Sequence, residues 1–257
     1  MLLSRIIPCL LMHDGGFVKT KKFKNPDYLG DPVNVINLFN RFEVDEIVIL
    51  DITATNQKRS PDFNAIQDLA NECWVPLAYG GGVNNIDDIK RLFSMGIEKI
   101  ILNSAAFSNP DLVKQAVNSY GSQAIVASVD IGRDIFGRYN AYTQSGKKKI
   151  KMPYMDYLLN LQELGFGEVF LNFIDLDGTW QGYNVQMASN IIQSLKIPVI
   201  VCGGAGQRSD FIAMLSGGAT AVAAGSLFVY KGKDKGVLIN YPERDEVDSI
   251  LEKAKLR

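Results

Sequence analysis

Acidic side chains recur where apolar runs end. Asp51 closes "EIVILD", Asp130 closes "AIVASVD", and Asp175 and Asp177 follow "EVFLNFI". A carboxylate held where a buried strand opens into a loop can give or take a proton, which is general acid–base chemistry. Asp130 follows "IVASV" with no evident capping task and is the foremost catalytic candidate; the other three suit helix or turn caps equally well. Two glycine runs point to a second kind of chemistry. Gly80-Gly81-Gly82 and Gly203-Gly204-Ala205-Gly206 are each followed, one unit later, by a small polar pair, Asn103-Ser104 and Gly225-Ser226. Glycine lets backbone N–H groups close around an anion without Cβ obstruction. Either run alone is equally a plain turn, but the duplication favours two phosphate sites across one mouth.

Charges also open several apolar runs. Arg5, Glu46, Lys99 and Glu168 stand at strand starts, where two cations and two anions suit a closed ring of ion pairs with a structural role. Lys19 begins the basic stretch "KTKKFKN" and is placed to fold over a bisphosphate, whereas Lys21, Lys22 and Lys24 read equally as a solvated loop. "GKKKIKM" from Gly146 reads as a charge run at a hairpin or a helix entry. The single His13 excludes a histidine cluster, and Cys9, Cys73 and Cys202 are odd in number and widely spaced, so no metal site or cofactor is expected.

The elements that must position these groups alternate along the chain. Strand-like runs cover 5–10, 46–51, 76–79, 99–102, 124–130, 168–173, 198–202 and 219–224, with amphipathic segments between them that start at Asp31-Pro32, Ser60-Pro61, Asn109-Pro110 and Ser209-Asp210. Eight strands in 257 residues, 47% of them hydrophobic, fit an α/β chain folded as one TIM (β/α)8 barrel. The net charge of −1 gives no general attraction for nucleic acid or a membrane. No signal-peptide core and no apolar run of about 18 residues is present, so a cytoplasmic location is expected.

An internal repeat supports the barrel. "IPVIVCGG" from Ile197 lies 122 residues beyond "VPLAYGGG" from Val75, and "GATAVAAGSLFV" from Gly218 lies 122 beyond "GIEKIILNSAAF" from Gly96. "GEVFLNFI" from Gly167 keeps the same spacing to "DEIVILDI" from Asp45. Half-barrels of approximately 1–122 and 123–257 closing on each other explain this twofold repeat; an open doubly wound sheet does not. The repeat also sets "RIIPCLLM" beside "AIVASVDI", with Leu11 falling 119 residues before Asp130. A strand-end carboxylate present in one half is a leucine in the other.

End to end, "RIIPCL", "DEIVILDITAT", "GGG" with "DDIKRLFSMGIEKIILNSAA", "GSQAIVASVD", "GEVFLNFIDLDGT" with "GYN", "IPVIVCGGAG" and "AGSLF" resemble the cyclase subunit of imidazole glycerol phosphate synthase, the HisF family. The resemblance implies a lyase barrel that binds a bisphosphorylated ribulotide at its top and receives ammonia from a glutaminase subunit docked at the N-terminal face, where Pro76, Glu98 and Lys99 sit. It implies one phosphate site at Gly82, Asn103 and Ser104 and another at Asp177, Gly178, Gly204, Gly225 and Ser226, with Lys19 in the loop over the substrate. It turns Arg5, Glu46, Lys99 and Glu168 into the gate of an ammonia channel, against the structural role read from spacing. Asp130 matches one of the family's two catalytic aspartates and Leu11 replaces the other.

Asn172 and Phe173 stand where small hydroxyl residues are usual, and Phe173 is expected to fill substrate volume. The implied protein is a paralogue with little or no cyclase activity, similar to members that work with a separate sugar amidotransferase in surface-polysaccharide synthesis. Two alternatives stay open. One is a genuine cyclase of histidine biosynthesis, its second carboxylate displaced to Asp14 or Asp51; the other is a non-catalytic ammonia conduit or scaffold.

Overall fold

Among the described residues, 4–232 and 236–256, eight parallel strands close into a barrel in this computed structural model. They are β1 (Arg5–His13), β2 (Ile47–Asp51), β3 (Leu77–Gly80), β4 (Lys99–Leu102), β5 (Ile125–Arg133), β6 (Glu168–Phe173), β7 (Val199–Cys202) and β8 (Ala221–Ala224). β1 pairs with β2 on one side and with β8 on the other, so the sheet has no open edge. Around it lie α1 (Pro32–Arg41), α2 (Phe63–Glu72), α3 (Ile86–Ser94), α4 (Pro110–Tyr120), α5 (Tyr154–Glu163), α6 (Val185–Ser194), α7 (Arg208–Ser216) and α8 (Arg244–Lys255). No described helix is long and apolar enough to cross a membrane.

The period of two along each strand builds two cores. Ile7 and Cys9, Val48, Ala78, Ile101, Val126, Phe170, Ile200 and Ala223 point inward and form the lumen cluster, while their neighbours Ile6, Leu10, Ile47, Ile49, Val129 and Leu171 pack outward against the helices. Asp31 and Asn109 cap α1 and α4 through their side chains, as their Pro-containing starts require. α2 begins later than Ser60-Pro61 indicates, because Asp62 accepts from the Ala65 N–H and is the cap. α7 begins at Arg208, one turn being closed by Asp210 Oδ2 accepting from the Gly206 and Gln207 N–H groups.

Two hairpins rise above the barrel and change the reading of its mouth. β1 does not end at Leu10 but runs on to His13, then folds back through Asp14 and Gly15 into the antiparallel strand Gly16–Lys21, which pairs with Lys24–Gly30. Asp14 and Gly15 both have positive φ, +46° and +82°, the backbone that an Asp-Gly hairpin turn requires. In the same way β5 extends to Arg133 and pairs with Tyr139–Thr143, which pairs with Lys148–Lys149; the "GKKKIKM" charge run is therefore part of a hairpin.

Candidate functional site

A cavity of about 390 Å³ opens at the strand C-terminal ends, the face where barrels of this kind place their chemistry. Leu11, His13, Leu50, Asn103, Ser104, Ser128, Asp130 and Asn172 line it, with Gly80, Gly81 and Gly82 on one side. Asp130 is buried on the inward face of β5. Asn103, one residue past β4, donates its Nδ2 to Asp130 Oδ2 at 3.2 Å and to the Ser128 carbonyl at 3.0 Å, fixing the carboxyl against the wall. Burial is the largest influence on Asp130 and raises its carboxyl from the usual 3.8 to about 7; the Asn103 hydrogen bond opposes this rise and the charge of Asp177 adds to it. A carboxyl poised near neutrality serves as acid and base alike.

Leu11 lies on the inward face of β1, in register with Leu50 of β2 and with Val18 of the hairpin. It packs with Leu50 on the rim of the lumen cluster, so at this position the cavity wall presents hydrocarbon. Neither alternative carboxylate replaces one there. Asp51 Oδ1 accepts from Thr53 N, Thr53 Oγ1 and Ala54 N, and its Oδ2 pairs with Arg59 at 2.8 Å, so it is committed to holding the loop after β2. Asp14 sits exposed at the hairpin turn, against His13 Nδ1 at 3.2 Å and Gln57 Nε2 at 3.1 Å. Asp175 accepts from the Arg133 N–H and ties β5 to the loop after β6.

The two proposed anion sets occupy different surroundings. Gly82, Asn103 and Ser104 meet at the cavity. Gly82 holds φ at +73°, and a Cβ there would approach the Arg59 carbonyl to 2.8 Å, which accounts for glycine. The Ser104 hydroxyl accepts from the Gln144 N–H at 3.1 Å. Asp177, Gly178 and Gly225 instead lie against the hairpin on β1, Asp177 bonded to Lys19 and Thr20, and Gly204 lies against Gly182: a Cβ on Gly178 would meet the Thr20 carbonyl at 2.6 Å, and one on Gly225 would meet Lys19 Cε at 3.0 Å. Asn103 and Gly225 nonetheless keep nearly the same backbone, φ/ψ −114°/−78° and −107°/−73°, each ahead of a short helix, as the repeat implies.

Lys19 is not in a solvated loop. It is buried in the hairpin strand, where Nζ donates to Asp177 Oδ1 at 2.6 Å and to the Thr20 carbonyl at 2.7 Å. Lys21, Lys22 and Lys24 are exposed, in keeping with a solvated role. The expectation for Phe173 is corrected: it points outward from β6 into the layer between sheet and helices, takes no cavity volume, and leaves Asn172 as the inward residue. His13 carries the opposite lesson. It lies on the same side of β1 as Leu11, two residues on, and lines the cavity; the period of two identifies it only once β1 is known to extend past Leu11.

At the opposite mouth, Arg5, Glu46, Lys99 and Glu168 form one closed ring. The Arg5 guanidinium bridges Glu46 and Glu168, and Lys99 Nζ reaches Glu46 Oε2 and Glu168 Oε2 at 3.0 Å each. Burial alone would lower the Arg5 pKa, but the facing Glu168 and Glu46 charges raise it further above its ordinary value. The ring plugs the floor of the lumen and faces an open recess of about 1050 Å³ lined by Asp45, Arg244 and Asp248. Trp74, 81% exposed just before β3, stands at the same end of the barrel.

The sequence signature of the family described as "Histidine biosynthesis protein" matches residues 5–235. A Pseudomonas aeruginosa protein named "Putative imidazole glycerol phosphate synthase subunit hisF2" is 41% identical over 249 residues, covering 96% of this chain and 99% of that protein. The chain is also 37% identical over 231 residues to "Imidazole glycerol phosphate synthase subunit HisF" of Alkaliphilus metalliredigens, covering 90% of this chain and 92% of that one. The subunit of the same name from Sulfolobus acidocaldarius is 40% identical over 222 residues, 86% and 89% of the two chains.

Proposed function

Since the chain belongs to the histidine biosynthesis protein family, among the HisF subunits of imidazole glycerol phosphate synthase, we propose that it takes ammonia from a glutaminase subunit and passes it through the barrel with little or no ring-closing activity of its own. One contrast carries this reading. The charged ring at the floor is complete, while the wall facing Asp130 at the top offers the hydrocarbon of Leu11. Ring closure and release of the carboxamide ribotide use an acid and a base, and losing one of them costs about 10²–10⁴-fold in rate. Passing ammonia onward needs neither.

The nitrogen would then serve a separate sugar amidotransferase that makes an amidino group for a surface polysaccharide; the resemblance to such members supplies this acceptor class. A phosphorylated ligand fits the set at Gly82, Asn103 and Ser104, which opens to the cavity. The glutaminase would sit over the recess at the strand N-terminal end, beside Trp74.

A second reading, a genuine cyclase of histidine biosynthesis, draws support from one observation, the poise of Asp130 near neutrality in a cavity that also holds His13. The two readings separate when the purified chain is given the ribulotide and ammonium salt, which bypasses any glutaminase. The conduit reading expects no imidazole product above background. Steady turnover would replace it with the cyclase.

A further inference from the structure

The net charge of −1 conceals a segregation of charge along the chain. The two hairpin segments, 16–30 and 133–151, hold ten of its 27 lysines and arginines but two of its 28 acids, Asp27 and Asp134. Both hairpins stand at the strand C-terminal end of the barrel and meet there, since a Cβ on Gly146 would touch the Phe23 ring at 3.2 Å. Lys21, Lys22 and Lys24 on the first, and Arg138, Lys148 and Lys151 on the second, are exposed. At the apex of the second hairpin stand Ile135, 93% exposed, and Phe136, 73% exposed. Two large apolar side chains side by side on a turn, with cations around them, are not the surface of a chain that meets water alone.

The turn satisfies its own polar groups. Asp134 Oδ1 accepts from the Phe136 and Arg138 N–H groups at 3.0 Å each, and the Asp134 carbonyl accepts from the Gly137 N–H at 2.9 Å. The Asp134 N–H donates to the Arg138 carbonyl at 2.9 Å. Asn140 Nδ2 and Lys149 Nζ donate to its other carboxylate oxygen at 3.2 and 3.3 Å. The one acid of the apex is therefore turned back into the hairpin and paired. N–H groups satisfied in this way can leave water, which an unpaired N–H could do only at a high cost. Arg138 lies over the Phe136 ring at 5.1 Å, and Arg133 over the Tyr139 ring at 4.8 Å with Nη2 donating to its hydroxyl at 2.8 Å. Cations set on aromatic rings just behind an apolar apex make an interfacial anchor.

We infer that the Ile135-Phe136 turn inserts into the headgroup layer of an anionic lipid surface, with the basic hairpins holding the barrel mouth toward it. A lipid surface fits better than an acidic protein for two reasons. The apex is a narrow, convex turn, for which a protein partner must supply a matching pocket, whereas a bilayer interface accepts it anywhere. The cations are distributed over two hairpins, which suits the diffuse negative charge of an anionic leaflet, felt within about a Debye length. The attachment is peripheral, as no described helix is long and apolar enough to cross a membrane. The inference goes beyond the proposed function and does not rest on it.

The test mixes the intact chain with vesicles of phosphatidylcholine alone, or with about one third phosphatidylserine, and reads the fraction that sediments with lipid at about 0.1 M salt. Binding to the anionic vesicles is expected to be at least about tenfold tighter than to the neutral ones. Ile135→Ser with Phe136→Ser, and separately Lys148→Glu with Lys151→Glu, each weaken it at least about tenfold. All four residues are exposed, so thermal unfolding of both variants stays that of wild type. Phe136→Trp reports insertion: lipids brominated in their acyl chains quench the added fluorescence and leave that of Trp74 and Trp180 unchanged. Equal binding with and without phosphatidylserine, binding that survives the serine pair, or an unquenched Phe136→Trp variant overturns the inference. Beads carrying polyglutamate stand in for an acidic protein. Retention on them that is lost with the serine pair, without binding to vesicles, assigns the apex to a protein partner and overturns the lipid surface.

Discussion

Replacing Asp130 by asparagine removes a buried proton carrier, and its cost to the fold follows from its displaced titration. A rise from 3.8 to about 7 spans about three pH units, so ionising this carboxyl inside the folded barrel opposes stability by roughly 4 kcal/mol. The sign is fixed by the direction of the rise. The folded state binds the Asp130 proton more tightly than the unfolded chain does, so its contribution is full below about pH 4 and is lost as pH climbs through about 7. The asparagine variant carries no such titration. Urea unfolding of both proteins from pH 4 to pH 8 is expected to show the variant gaining roughly 4 kcal/mol relative to wild type across that window, whatever constant offset its altered hydrogen bond to Asn103 introduces. A difference between the two proteins that stays level within about 1 kcal/mol would refute the claim that Asp130 is held proton-bearing near neutrality, and with it the acid–base reading of the site.

Three further outcomes follow from the same geometry. Leu11→Asp should bring ribulotide turnover with ammonium up from background by as much as about 10²-fold, read as imidazole product, and a variant as inert as wild type would mean that more than this carboxylate is missing. Arg5→Met leaves Glu46 and Glu168 buried with Lys99 as their one remaining cation in the ring, and should destabilise the barrel by about 3–5 kcal/mol in urea unfolding; a loss below about 1 kcal/mol would mean that the ring is not a buried network. Trp74→Ala should weaken association with a cognate glutaminase at least about tenfold in a titration while leaving the fold unchanged, because an exposed aromatic at an interface is a typical energetic anchor.

Much of this arrangement is legible in the sequence because strand chemistry is local. β4 and β6 begin and end as the apolar runs 99–102 and 168–173 indicate, since a charged residue opens each of them. The ring of Arg5, Glu46, Lys99 and Glu168 follows from that same placement at strand starts. What escapes the sequence is long-range. Burial of Lys19 depends on a hairpin folding back so that its ammonium meets Asp177, 158 residues away. Phe173 and Asn172 are adjacent, and which of them faces the cavity is decided by the inward phase of β6, set by Glu168 and Phe170, which composition does not reveal. The oxygen of Asn172, without a hydrogen-bond partner among the described residues, is invisible without its neighbours. The Asp14-Gly15 turn was the one local signal capable of extending β1 and exposing His13 as a cavity residue.

The central claim is that this barrel passes nitrogen on without closing an imidazole ring. The most direct measurement pairs the chain with its cognate glutaminase, supplies glutamine labelled with ¹⁵N in the side-chain amide together with the ribulotide, and follows glutamate and labelled imidazole product in the same tube. Accelerated glutamate release with the label left in free ammonium is the expected result. Label entering the imidazole ring at about 1 s⁻¹ or faster, the ordinary range for enzymes, would contradict it.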